Sequence, residues 1–196
     1  MLVSLPGNVY FCTKYNSMKQ LHIITPVKDS IESTLRTIDA VLDSEINVPF
    51  TYTIYNDFST PENTALLENK AQHLGFQLVN LSDLTQHPSP NYLLVLQRER
   101  ELCLQEDAAL LIVESDVTVK PDTLQGLWDG AMERKDCGMA ASVTVDEVGK
   151  VNYPYLFARR MGKQVTATRR HCSFCCTLLT NELLRRVDFG LLDSTK

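Results

Sequence analysis

Leu110-Leu111-Ile112-Val113-Glu114-Ser115-Asp116 is the stretch on which the reading of the whole chain turns. Four apolar residues make a run short enough for a buried strand, and two carboxylates one residue apart end it before Val117-Thr118-Val119-Lys120-Pro121 resumes. In an open α/β sheet ligands sit beyond the carboxyl ends of the strands, so acids at such an end suit a divalent cation or a polar ligand. An acid-x-acid triplet is equally an ordinary acidic turn, and the stretch alone does not separate the two.

On its N-terminal side, strand and helix signals alternate. Residues 1–17 have no clear period and read as an N-terminal extension; a single domain is expected over 18–196. Leu21 to Val27 is a β-branched strand whose Pro26 suits a strand end and not a central position. Asp29 and Glu32 then make an acidic capping box for a helix with the stripe Ile31, Leu35, Ile38 and Leu42, ending near Ser44. Pro49 to Tyr55 is a second strand running into Asn56-Asp57. Thr60 as cap and Pro61 in the first turn open a helix that Gly75 closes. Phe76 to Leu81 is a third strand, 82–91 a loop carrying His87-Pro88-Ser89-Pro90, and Tyr92 to Glu106 a third helix. Ala108 to Val113 is then the fourth strand.

After Pro121 a fourth helix carries Leu124, Leu127, Trp128 and Met132. Gly138 to Val145 and Lys150 to Tyr155 read as two paired strands joined by Asp146-Glu147-Val148-Gly149. A further apolar stretch runs from Cys172 to Thr180, and Asn181 to Arg186 begins a short helix. The β-α-β-α-β-α-β rhythm predicts the α/β class, with a mostly parallel central sheet and helices on both faces, because parallel neighbours need crossover connections.

Bulk properties narrow the function. The 196 residues carry a net charge of −5 and are 44% apolar, enough for a sizeable core. With no basic cluster, a nucleic-acid partner is not expected. No run approaches a membrane span and Met1 to Ser17 lacks a signal-peptide pattern, so no transmembrane segment and a cytoplasmic location are expected. The six cysteines lack a secreted-domain rhythm and read as reduced thiols. His171-Cys172-Ser173-Phe174-Cys175-Cys176 has zinc-like spacing but no second ligand pair, and buried cysteines in a core strand are the expectation.

Three strand ends then fall on one sheet edge: Thr25-Pro26, Asn56-Asp57 and Glu114-Ser115-Asp116. A carboxylate after the second strand can accept from a base or ribose, and Glu114 with Asp116 can hold ribose and a Mg2+ or Mn2+ ion that neutralises a diphosphate. Neither Gly-x-Gly-x-x-Gly nor a Walker sequence follows the first strand, which removes the main support for dinucleotide and P-loop readings.

In His22-Ile23-Ile24-Thr25-Pro26-Val27-Lys28-Asp29, Tyr55-Asn56-Asp57-Phe58-Ser59-Thr60 and Leu110 to Asp116, in that order and spacing, the chain resembles the nucleotide-sugar glycosyltransferases of the GT-A fold, and among them the inverting family 2. Arg98 stands where that family often has an Arg, with Glu99 in place of the following Asn, and Ser173 to Leu192 looks like the segment leading into its Gly-Phe-Asp turn. The resemblance implies a three-layer sandwich, a donor site of Thr25, Pro26, Asp57, Arg98, Glu114 and Ser115, and metal ligands Asp116 and Glu114, Glu being one methylene longer than the family's first Asp. It implies a metal-assisted inverting transfer from a nucleotide-sugar, a UDP-sugar foremost, to a saccharide or lipid-linked acceptor, in polysaccharide assembly at the inner membrane face. The catalytic base of that family follows the turn acid, here Asp193, and is expected beyond Lys196, leaving the acceptor side incomplete. Two alternatives stay open: a non-catalytic nucleotide-sugar-binding module, and a sugar-nucleotide nucleotidyltransferase, which would want a Gly-rich loop that Thr25 to Ser30 lacks.

Overall fold

In the computed structural model, which describes residues 2–5, 8–11, 18–153, 155–160, 166–168 and 172–192, the head contributes two short strands, β1 (Leu2–Leu5) and β2 (Asn8–Phe11), paired antiparallel as a sheet of their own. The main body follows the expected alternation: β3 (Gln20–Val27), α1 (Ile31–Leu42), β4 (Phe50–Asn56), α2 (Pro61–Leu74), β5 (Gln77–Asn80), α3 (Tyr92–Gln105) and β6 (Ala108–Val113). Then come α4 (Thr123–Met132), β7 (Met139–Ala141), β8 (Cys176–Leu179) and α5 (Asn181–Arg186).

The six-stranded sheet runs β5-β4-β3-β6-β8-β7. Its first four strands are mutually parallel, and β8 lies antiparallel to both β6 and β7. Alternation along the strands divides the core into two layers. Leu21 and Ile23 of β3, Ile54 of β4 and Leu111 of β6 pack with Ile38 of α1, Leu67 of α2 and Leu124 of α4. Their neighbours Ile24, Tyr55, Leu110 and Ile112 face the other way, onto Val95 and Leu96 of α3 and Leu184 of α5. Each fully buried Leu or Ile is worth about 1.5–3 kcal/mol, and β6, buried at all six positions, is the strand both layers share. The result is the expected α/β three-layer sandwich.

Pro26 sits inside the central strand β3 without breaking the sheet. The ladder to β6 ends at Ile24, so the missing N–H faces a side where pairing has already stopped. Two expectations are corrected. Asp29 does not cap α1: Ser30 precedes the helix at φ +49° with no side-chain cap, while Asp29 Oδ1 accepts from Thr60 N at 2.8 Å and from Asn63 Nδ2 at 3.0 Å, joining the start of α2 instead. The paired strands over 138–155 shrink to β7 and one bridge, Val145 to Val151. Val145, Val148 and Tyr153 are 52%, 87% and 80% exposed, so the β-branched residues there have no opposing layer to pack against. The Thr60 cap, with Oγ1 accepting from Asn63 N at 3.3 Å, Pro61 in the first turn of α2 and the left-handed Gly75 after it follow the sequence. Asp193, His171 and Cys12 lie outside the described residues. No helix among those described is long and apolar enough to cross a membrane.

Candidate functional site

The carboxyl ends of β3, β4 and β6 open into a cavity of about 310 Å³. Pro26, Val27 and Lys28 enter from the first, Asp57 from the second, and Glu114, Ser115 and Asp116 from the third, over a floor that includes Leu81 and Val95. Five residues singled out in the sequence, Pro26, Asp57, Glu114, Ser115 and Asp116, therefore meet at one place. Thr25 and Arg98 are not among its lining residues. Thr25 is fully buried in the opposite layer with its hydroxyl 3.0 Å from Tyr52 Oη, as the strand alternation dictates, and Arg98 is on the exposed side of α3.

The loops that carry these groups are stitched together before any ligand arrives. Asp57 N donates to Val27 O at 2.7 Å, Asp29 N to Ser59 Oγ at 2.8 Å, and Lys28 Nζ to the Phe58 carbonyl. Asn56 donates to Thr64 and Asn80 and accepts from Ser59 N, which fixes the turn after β4. The Asp29 carboxyl is held below its ordinary range first by the Thr60 N–H, then by Asn63, with Lys28 adding its charge.

Asp57, 8% exposed, is anchored to the segment before α3: Oδ2 accepts from Ser89 Oγ and Asn91 N at 2.8 Å each, and Oδ1 from Asn91 Nδ2 at 2.7 Å. A carboxylate has room for about four such bonds, so one acceptor direction is left for a ligand. Ser89, Asn91 and Lys28 are residues that reading the sequence passed over. Their signal was faint: a Pro-rich polar loop and one lysine after a strand. Among the described lining residues Lys28 carries the only positive charge, opposite three acids.

Glu114 and Asp116 flank a turn in which Val117 N donates to Glu114 O at 3.0 Å, while Glu114 N is tied to Cys175 O at 2.9 Å. Both acids also line a second cavity, of about 700 Å³, on the β7–β8 side. Its wall is rich in hydroxyls, among them Ser33, Thr118, Thr123 and Thr144, with Arg36 and Lys120 as its cations. At the junction burial pushes the Cys175 thiol up against the opposing Ser173 hydrogen bond, and the neighbouring Glu114 charge adds to the rise. The cysteine cluster is thus split: Cys176 lies in β8, its thiol pushed up to about 12 by burial, while Cys172 and Cys175 are half-buried in the approach to it. Tyr92 Oη, beneath the first cavity, is buried with no hydrogen-bond partner; burial, then the Glu114 and Cys175 charges, raise the phenol.

No protein-family model matches the chain. No curated protein matches it either. Among solved structures it is similar to the galactosyltransferase LgtC in complex with donor and acceptor sugar analogues, at 17% identity over 89% of this chain and 63% of that one, with a TM-score of 0.49. It is similar to the mannosyltransferase PcManGT from Pyrobaculum calidifontis in complex with GDP-Man and Mn2+, at 13% identity over 68% of this chain and 38% of that one, TM-score 0.49. A third is S. aureus TarS 1–349 in complex with UDP-GlcNAc, at 18% identity over 58% and 31% of the two chains, TM-score 0.42. The chain spans about a third of the TarS and PcManGT chains. At these identities and TM-scores the likeness assigns neither an activity nor a site residue to it.

Proposed function

We propose that the chain is the catalytic domain of a glycosyltransferase that holds a nucleotide-sugar in the cavity beyond β3, β4 and β6 and passes the sugar to an acceptor hydroxyl in the larger cavity beside it. The observation that carries the reading is that Glu114 and Asp116 belong to both cavities. Group transfer needs two ligands in reach of each other and of the same charged groups, and a shared acidic wall supplies that. Glu114 and Asp116 offer oxygen donors at an accessible turn, a set that fits Mg2+ or Mn2+, which keep several waters and share their coordination with phosphates. Bound there, the cation would neutralise charge on the departing nucleoside diphosphate.

The chain's own groups divide the remaining work. Asp57 has an acceptor direction left for a base or ribose donor, Pro26 gives the base an apolar wall, and Lys28 offers charge to a phosphate. The hydroxyl-rich lining of the second cavity suits a saccharide, whose attack on the anomeric carbon from that side would invert it. A UDP-sugar is the donor we expect.

Thermal unfolding with UDP, GDP and CDP, each with and without Mn2+, tests the reading. One nucleotide at about a hundred times its Kd should raise Tm by roughly 5–10 °C with Mn2+ present. Asp116→Ala should remove the Mn2+-dependent part. Absence of a response to all three nucleotides sinks the proposal, and stabilisation without sugar transfer to any saccharide acceptor replaces the enzyme with a binding module.

A further inference from the structure

At the other end of β3 from the cavity, His22, Glu99 and Cys103 meet under α3, at 6%, 2% and 0% exposure. Glu99 and Cys103 stand one helical turn apart on the inner face of α3, and His22 faces them from the strand. A ring nitrogen of His22, a carboxylate oxygen of Glu99 and the Cys103 sulfur lie within 4.8 Å of one another. We infer that these three side chains form a binding site for a zinc-like divalent ion, separate from the acidic turn at Glu114 and Asp116 and independent of the function proposed above.

The partners around the cluster are those a metal site requires. His22 turns Nδ1 to Glu99 Oε2 at 3.2 Å and Nε2 to Glu106 Oε2 at 3.1 Å. With the metal on Nδ1, Nε2–H donates to Glu106, the carboxylate–imidazole–metal relay that fixes the tautomer and raises ligand basicity. Glu106 is itself held by Gln20 Nε2 at 2.6 Å. Tyr55 Oη donates to Glu99 Oε1, which leaves Oε2 for the metal. A divalent ion would take the place of the Cys103 thiol proton and bring positive charge to a cluster that already holds the Glu99 and Glu106 carboxyls. One thiolate, one imidazole and one carboxylate favour Zn2+ or Co2+ over Mg2+ and Mn2+, which prefer all-oxygen sets. Entry is from the Glu106 side, whose side chain is 47% exposed.

Co2+ added to chelator-treated full chain tests the site. Wild type should show a near-ultraviolet thiolate-to-Co2+ charge-transfer band, abolished by Zn2+ and unmoved by excess Mg2+. The band should persist in Asp116→Ala and in the triple variant Cys137→Ser, Cys172→Ser, Cys175→Ser, and vanish in Cys103→Ser. Should Cys103→Ser fail to fold, X-ray absorption on the zinc-loaded triple variant decides: one sulfur at about 2.3 Å beside nitrogen and oxygen is expected. A missing band, a band that survives Cys103→Ser, or an all-light-atom shell overturns the site and leaves His22 as an imidazolium held between two carboxylates. Because Asp116→Ala spares this site and removes the Mn2+-dependent part of the nucleotide response, the two proposals fail separately.

Discussion

Asp29 links two loops that must stay together if the cavity is to keep its shape. At φ +53° it sits in a conformation that costs a non-glycine residue about 1–2 kcal/mol, and its bonds to Thr60 and Asn63 offset that cost. Because the folded carboxyl titrates below its ordinary value of 3.8, its contribution to stability is complete above that pH and fades as pH falls through the lower, folded value. Asp29→Asn should therefore have a lower urea midpoint than wild type at pH 6, and the gap should narrow as pH is taken below about 3.8. A gap that stays constant over that range would remove the carboxylate from the account. Acids were the legible part of this neighbourhood. Asp57, Glu114 and Asp116 stand out because each follows a stretch that reads as a strand, Pro49 to Tyr55 or Ala108 to Val113. What they bond to was hidden, since Asp57 meets Asn91 from 34 positions away and Asp29 meets Asn63 from the same separation. Sequence distance carries no information on which loop a carboxylate will find.

Elements were read well where a local rule fixes them and poorly where burial decides. The Thr60, Pro61 and Gly75 signals delimit α2 because they act within one turn of the chain. Residues 138–155 have the composition of two strands, but the sheet ends there at β7, beside β8, and Val143, Val145, Val148 and Tyr153 face solvent. Two glycines isolate the local rule by experiment. Gly75 ends α2 at φ +74° with no atom within 4 Å of an added Cβ, so Gly75→Ala pays for backbone conformation alone and should lose about 1 kcal/mol. Gly126, inside α4 and equally open, lacks the positive φ, and Gly126→Ala should gain about 0.5–1 kcal/mol. Chemical denaturation of the pair gives opposite signs; like signs would mean that tertiary contacts, and not helix-end geometry, set both values.

For the molecule as a whole, β3 is the beam that connects everything described. Its carboxyl end opens on the first cavity, its amino end carries His22, and its centre pairs with β4 and β6 in the middle of the sheet. Class and rhythm of this arrangement were readable because seven successive elements alternate. The antiparallel β8 and the division of the acidic mouth into two cavities were not, because both depend on where the chain returns after residue 142. That division gives the proposal a spatial test. A nucleoside diphosphate held by Asp57, Lys28 and the acidic turn touches 26–28, 57, 89–90 and 114–116, and leaves the far wall of the second cavity, around 142–152, unburied. Ligand binding suppresses the local openings that expose amides to exchange, and does so most where the ligand bridges separate segments. With UDP and Mn2+, hydrogen exchange should slow at 87–91 and 113–117 and stay unchanged at 142–152. Protection confined to 142–152 would put the nucleotide in the larger cavity and reverse the assignment of donor and acceptor sides.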